Sequence, residues 1–180
     1  MKDILHLTNF LPEEDYTEIL NIVNKINYNH DYHLSWKLTG STQIGKTRFW
    51  NCRLDREGFF TDYLLQKIVK IIHDNTGEKV VRCERAYLNG ATFGHQGYLH
   101  PDSFDSNGRT LLIYCNSEWQ KEWAGGTVFD CGDSDMIFLP RPNSCIYFDS
   151  TILHHSQPTS KFFNGLRVTL AYKLFVECND

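Results

Sequence analysis
The chain has 180 residues, 41% of them hydrophobic and 22% charged, a balance that suits one globular domain with a sizeable core and excludes a disordered or fibrous chain. Its net charge of -4 gives no general attraction to phosphate backbones, so nucleic acid is not an expected partner. No apolar run reaches the ~18 residues needed to span a bilayer, so no membrane partner is expected either.

The first residues, Met1-Lys2-Asp3-Ile4, open an ordinary charged segment without the long apolar stretch of a signal peptide. Asn9-Phe10-Leu11-Pro12-Glu13-Glu14 reads as a helix start, because proline suits the first turn and acids there face the positive end of the helix dipole. Tyr16, Ile19, Leu20, Val23 and Ile26 then recur at helical spacing. Residues 28–60 are polar and irregular, with Trp36 and Trp50 inside them. A second helix is predicted over 61–75, with Leu64, Leu65, Ile68, Ile71 and Ile72 as its apolar stripe. After Gly77 the pattern changes to short apolar or alternating runs at 79–88, 110–115, 127–131, 136–139, 145–148 and 167–175, punctuated by Gly, Pro, Asn and Asp. Such runs predict antiparallel strands in a sandwich or barrel. The expected fold class is α+β, mainly β, as one domain over 1–180 with helical support in 1–77 and the β core in 78–180. An aromatic content of 14% fits a β-rich core. None of the six cysteines, Cys52, Cys83, Cys115, Cys131, Cys145 and Cys178, forms a CxxC pair. They read as free thiols in a reducing compartment, and a cytoplasmic protein is expected.

Three elements carry chemistry. His100-Pro101-Asp102 is an H-x-D, and on an extended segment its imidazole and carboxylate share one face. With one distant histidine it would form a two-histidine, one-carboxylate triad, which leaves three coordination positions open on a metal. The distant histidine comes from Leu153-His154-His155-Ser156-Gln157-Pro158, where neighbouring residues on a strand face opposite ways, so only one of the two can point inward. The third element is Arg167-Val168-Thr169-Leu170-Ala171, with Arg167 and Thr169 on one strand face. An inward arginine is costly unless it meets an anion, and a guanidinium suits bidentate capture of a carboxylate. The alternative is an outward arginine on an edge strand.

Taken together, these residues resemble the prolyl-hydroxylase branch of the Fe(II)- and 2-oxoglutarate-dependent oxygenases, over about half of the chain. That family orders an H-x-D, a paired-glycine strand, an H-x-x-x-P and a strand with a basic 2-oxoglutarate anchor. Here the order is His100-Pro101-Asp102, Gly125-Gly126-Thr127, His154 to Pro158, and Arg167. The proline spacing selects His154 over His155. Ile113-Tyr114-Cys115-Asn116-Ser117-Glu118-Trp119 and Tyr87-Leu88-Asn89-Gly90 look like further family segments, and Phe10-Leu11-Pro12 looks like the start of these domains.

The resemblance implies a double-stranded β-helix, or jelly roll. It implies Fe(II) held by His100, Asp102 and His154. It implies 2-oxoglutarate anchored by Arg167 and Tyr114, with Thr169 and Tyr87 in the same pocket. It further implies O2 as oxidant, ascorbate as a stimulant, and a hydroxylated product with succinate and CO2. The substrate it implies is a prolyl residue of a peptide or protein, with a small molecule as the alternative. The segment from Trp36 to Trp50, with Lys46 and Arg48, is expected to cover the pocket mouth, and Arg85 and Trp123 are further candidates for substrate contact. Two segments depart from the family. The His154 to Arg167 interval is longer than in close members, so Ser160-Lys161-Phe162-Phe163-Asn164 must loop out, and the Gly90 to His100 stretch is longer as well. The nucleic-acid demethylases of the wider family carry a second arginine six residues after the first, where this chain has Lys173. Two other readings are a cupin-like metal-binding jelly roll and a metal-free interaction domain.

Overall fold
In chain order the elements are β1 (Ile4–Leu7), α1 (Glu13–Lys25), β2 (Lys37–Gly40), β3 (Arg48–Arg53), α2 (Leu64–Thr76), β4 (Val80–Ala91), β5 (Gly108–Tyr114), β6 (Thr127–Asp130), β7 (Asp135–Phe138), β8 (Cys145–Asp149), β9 (His154–Ser156) and β10 (Arg167–Val176). They come from a computed structural model that describes residues 4–26, 34–40 and 48–177. All strand pairings are antiparallel. A major sheet has the order β1-β8-β5-β10-β4-β3-β2, and a minor sheet has the order β7-β6-β9. Two facing antiparallel sheets with helices on the outside of one make the expected jelly roll.

Alternation along β10 explains the layering. Val168, Leu170, Tyr172 and Leu174 enter the cluster that contains Ile19 of α1 and Leu64, Ile68 and Ile72 of α2. Their neighbours Arg167, Thr169 and Lys173 are also buried, but on the other face, toward the minor sheet. The flanking strands follow the same period. Leu111 and Ile113 of β5 and Cys145 and Tyr147 of β8 join the helix-side cluster. Tyr114, Ile146 and Phe148 instead pack with Phe129 and Ile152 between the sheets.

Both helices bury their apolar stripes against the major sheet. α1 follows Pro12 and carries Glu13, Glu14 and Asp15 in its first turn, as its composition predicts. α2 follows a π-helical turn, Phe59–Tyr63, and so begins later than the periodicity suggests. It ends at Gly77, whose φ of +73° suits glycine as the left-handed cap. Tyr172 of β10 donates its hydroxyl to the Phe60 carbonyl at 2.9 Å, pinning that turn to the central strand. No helix among the described residues is long and apolar enough to cross a membrane.

The irregular reading of 28–60 needs correction. β2 and β3 lie there and extend the major sheet beyond β4, with Trp50 opposite Gly90 and Cys52 opposite Leu88. β1 pairs β8 at the other end. The first 77 residues therefore supply three strands as well as the helices. Polar residues hid β3 because its second face lines an open pocket rather than a core. Trp36 is also reassigned. It is only 2% exposed within the helix-side core, so it does not cover the pocket mouth.

Ile68→Ala removes a fully buried side chain from this layer and should cost about 2–5 kcal/mol. Val81→Ala, at a 55% exposed position, should change stability by less than about 0.5 kcal/mol. Urea denaturation of the two variants measures the difference.

Candidate metal centre and adjoining pocket
His100 and Asp102 lie between β4 and β5, and His154 opens β9. Backbone bonds fasten the segments. The His100 N–H donates to the His154 carbonyl at 3.1 Å, the His154 N–H returns a bond of 3.0 Å, and the Asp102 N–H donates to the Ser150 carbonyl at 2.8 Å. The three side chains place their ligating atoms within 4.8 Å of one another. Asp102 Oδ1 is 3.7 Å from His100 Nε2, and Asp102 Oδ2 is 3.4 Å from His154 Nε2. His154 Nδ1 sits 2.9 Å from the Ile152 carbonyl, and His100 Nδ1 sits 2.7 Å from the Tyr98 carbonyl. A carbonyl only accepts, so both Nδ1 atoms carry the proton and both Nε2 lone pairs face the shared point. Two neutral imidazoles and one carboxylate on one side of a point fit a cation that keeps open positions, such as Fe(II). Phe129 and Phe148 pack against the His154 ring at centroid distances of 5.6 and 4.8 Å and hold it in place. His155 does not line the pocket, as alternation requires.

Electrostatics favour the ligating protonation states. Burial lowers the pKa of His100. Burial alone would raise Asp102, but the Lys173 ammonium holds its carboxyl well below the usual carboxylate range. Lys173 is 6% exposed and contacts Asp102 Oδ2 directly. It also donates to Thr110 Oγ1 at 3.2 Å, and Thr110 in turn donates to Asp102 Oδ2 at 2.8 Å.

A pocket of about 690 Å³ extends from this cluster over the inner faces of β10, β4 and β3, and Arg167 lines it too. Arg167 is 4% exposed. Its Nη2 donates to Thr127 Oγ1 at 3.2 Å, and its Nε has no partner. No carboxylate pairs with it among the described residues. Burial pulls its pKa below the ordinary value, as expected for a cation out of water without a counter-charge. The paired glycines make room here. A Cβ on Gly125, whose φ is +71°, would lie 3.0 Å from Thr159 Cγ2 and 3.2 Å from Arg167 Cδ. One on Gly126 would lie 2.8 Å from Ile137 Cγ2.

Of the residues singled out from sequence, His100, Asp102, His154, Arg167, Thr169 and Tyr87 all line this pocket, as do Arg48 and Arg85. Tyr114 does not. It is fully buried, with its hydroxyl 2.7 Å from Thr127 Oγ1 and 3.1 Å from the Phe138 carbonyl, so Thr127 stands between it and the pocket. Trp123 lies elsewhere, in a cluster with Trp119 and Phe163, and the long loop before β10 thereby packs one aromatic inward. Lys46 is outside the described residues. Sequence reasoning missed the roles of Thr127 and Lys173. Thr127 followed the glycine pair, and Lys173 shares the face of Arg167 at even spacing, so both carried a readable signal. The Tyr98 and Ile152 carbonyls carried none.

No family model matches the sequence, and no curated protein matches it. Solved structures do. A Pseudomonas putida prolyl-4-hydroxylase aligns with a TM-score of 0.72 at 13% identity, covering 99% of this chain and 95% of that one. A Trichoplax adhaerens prolyl hydroxylase, in complex with a hypoxia inducible factor peptide fragment, gives 0.69 at 15% identity, covering 97% and 84%. The epimerase SnoN, in complex with Fe3+, α-ketoglutarate and nogalamycin RO, gives 0.72 at 14%, covering 97% and 79%. The chain therefore has the fold of the Fe(II)- and 2-oxoglutarate-dependent oxygenases. Within that fold its likeness extends to prolyl hydroxylases and to an epimerase alike.

Asp102→Ala would leave Lys173 buried without a counter-charge and should cost the metal-free protein about 3–5 kcal/mol. Adding Lys173→Met should recover most of that loss. Denaturation in the presence of a chelator tests this, and additive losses in the double variant would show that the pair is not coupled.

Proposed function
We propose that the protein is an Fe(II)- and 2-oxoglutarate-dependent dioxygenase that hydroxylates its substrate and releases succinate and CO2. The observation that carries this reading is Arg167. A buried guanidinium without a counter-ion costs several kcal/mol, so its place in the pocket of the His-Asp-His cluster calls for an anionic ligand. The distal carboxylate of 2-oxoglutarate fits that requirement, and a guanidinium can hold it bidentately.

In this reading His100 and His154 offer Nε2 and Asp102 one carboxylate oxygen to Fe(II). Lys173 and Thr110 hold the other side of that carboxylate and fix its orientation. Arg167 takes the co-substrate, with Thr127 and Thr169 beside it on the pocket wall. Tyr114 acts through Thr127 by fixing its hydroxyl, and Tyr87 lines the substrate side. Bound there, metal, 2-oxoglutarate and O2 supply the oxidising chemistry, with ascorbate as a stimulant. The leading substrate is a prolyl residue of a peptide or protein. The fold shared with two prolyl hydroxylases supports it, and a small molecule is the alternative. The described cysteines are unpaired, which supports a reducing, cytoplasmic setting. The His-Asp-His cluster taken alone would also support a second reading, a metal-binding jelly roll without turnover.

Succinate formation from 2-oxoglutarate with Fe(II), ascorbate and O2 separates the two readings, and its absence in iron-loaded protein favours the second. Arg167→Ala should weaken 2-oxoglutarate binding by about 2–5 kcal/mol while metal stays bound. Unchanged affinity would remove Arg167 as the anchor. His154→Ala should lose the metal and His155→Ala should keep it, as measured by metal analysis of anaerobically purified protein.

A further inference from the structure
The pocket is cationic although the chain is acidic. Five of its lining residues are cations, Arg48, Arg53, Arg85, Arg167 and Lys173, and two are carboxylates, Asp55 and Asp102, an excess of three positive charges. Arg53 is paired with Asp55 at 2.6 Å, and Lys173 is paired with Asp102. Fe(II) and the 2-oxoglutarate dianion together add no net charge, so the excess of three stays, and of the cations that carry it Arg167 faces the dianion's distal carboxylate. Arg48 and Arg85 remain, and neither has an anionic partner among the described residues.

Strand register places Arg85 close to the metal centre. It lies opposite Lys173, whose ammonium touches Asp102, so one strand separation divides Arg85 from the side chains that hold the cluster. Its guanidinium lies over the Tyr87 ring at 5.7 Å to the centroid, which favours a position facing the pocket. Between Arg85 and Arg48 the wall is polar, with the Asn51 amide donating to Asn89 Oδ1 at 3.1 Å. Asp55 is close enough to Cys83 to raise its thiol pKa, after burial, yet it forms its ion pair with Arg53.

We propose that the substrate carries an acidic group, a carboxylate or a phosphate, which docks on Arg85 beside the metal centre, with Arg48 as a second contact on the same wall. The inference rests on the oxygenase reading for the role of the site, but its charge argument needs only the pocket. An acidic chain repels an acidic substrate at long range, so the pocket cations must supply the local attraction, and that attraction weakens with salt.

Equilibrium binding tests it in protein loaded with Mn(II) and saturating 2-oxoglutarate. The probes are two blocked prolyl peptides that differ only by Glu or Gln next to the proline, together with free L-glutamate and L-glutamine. The Glu peptide should bind about tenfold more tightly at low salt, and the advantage should shrink as ionic strength rises. Arg85→Gln should abolish the preference, Arg85→Glu should reverse it toward a Lys-bearing peptide, and Arg56→Gln, outside the pocket, should keep it. Competition by free glutamate would identify a small acid as the source of the anionic group, and binding of the peptide alone would identify an acidic peptide. Both outcomes support the subsite. Equal binding of the Glu and Gln ligands, no binding of either acid, or a preference that survives Arg85→Gln overturns it. Absence of succinate in the turnover assay would instead overturn the oxygenase reading and leave this comparison interpretable.

Discussion
Burying two cations on the inner face of one central strand is the constraint around which this protein is arranged. β10 offers Val168, Leu170, Tyr172 and Leu174 to the helices, and their burial holds the strand in the middle of the major sheet. The same alternation then forces Arg167 and Lys173 into the space between the sheets, where both are less than 10% exposed. A charge there needs an answer. Lys173 has one in Asp102, and Arg167 meets a threonine hydroxyl and the Tyr114 ring but no carboxylate among the described residues. The apolar face thus sets the position of the strand, and the polar face sets what the pocket must bind.

The candidate metal centre depends on this strand in turn. Asp102 lies on a loop, and loops do not hold a carboxylate within a few tenths of an ångström by themselves. Lys173 and Thr110, from two neighbouring strands of the major sheet, hold its outer oxygen, and the Ser150 carbonyl holds its backbone. His154 is fixed from the minor sheet by two phenylalanines and a carbonyl. The centre therefore joins the two sheets and is organised only when both are folded against each other. Rigid support of this kind is what metal-ligating side chains require.

Charge is distributed unevenly over the molecule. The whole chain is acidic, while the pocket wall built by β3 and β4 presents arginines and amides. Specificity within this fold varies, as the prolyl hydroxylases and the epimerase that share it illustrate. In this chain β3, which pairs β4, builds much of the wall that faces the His-Asp-His cluster.

The H-x-D and the pairing of Arg167 with Thr169 on one strand face were legible because local spacing and strand alternation dictate which residues share a face, whereas the histidine four residues before a proline and the paired glycines were legible only through the family resemblance. The two apolar stripes and the later strands were legible because period and burial coincide. β1 and β3 were not, because one is short and the other pairs polar residues with a pocket instead of a core. Tyr114 read as a ligand contact, but its hydroxyl is turned to Thr127 by packing that involves three strands. The pairing of Lys173 with Asp102 and the carbonyls that orient the histidines also lay beyond the sequence. By itself the sequence determined which residue types could meet a metal and an anion. Only the tertiary structure decided which atoms face each other, because those contacts join segments brought together by sheet register and not by spacing along the chain.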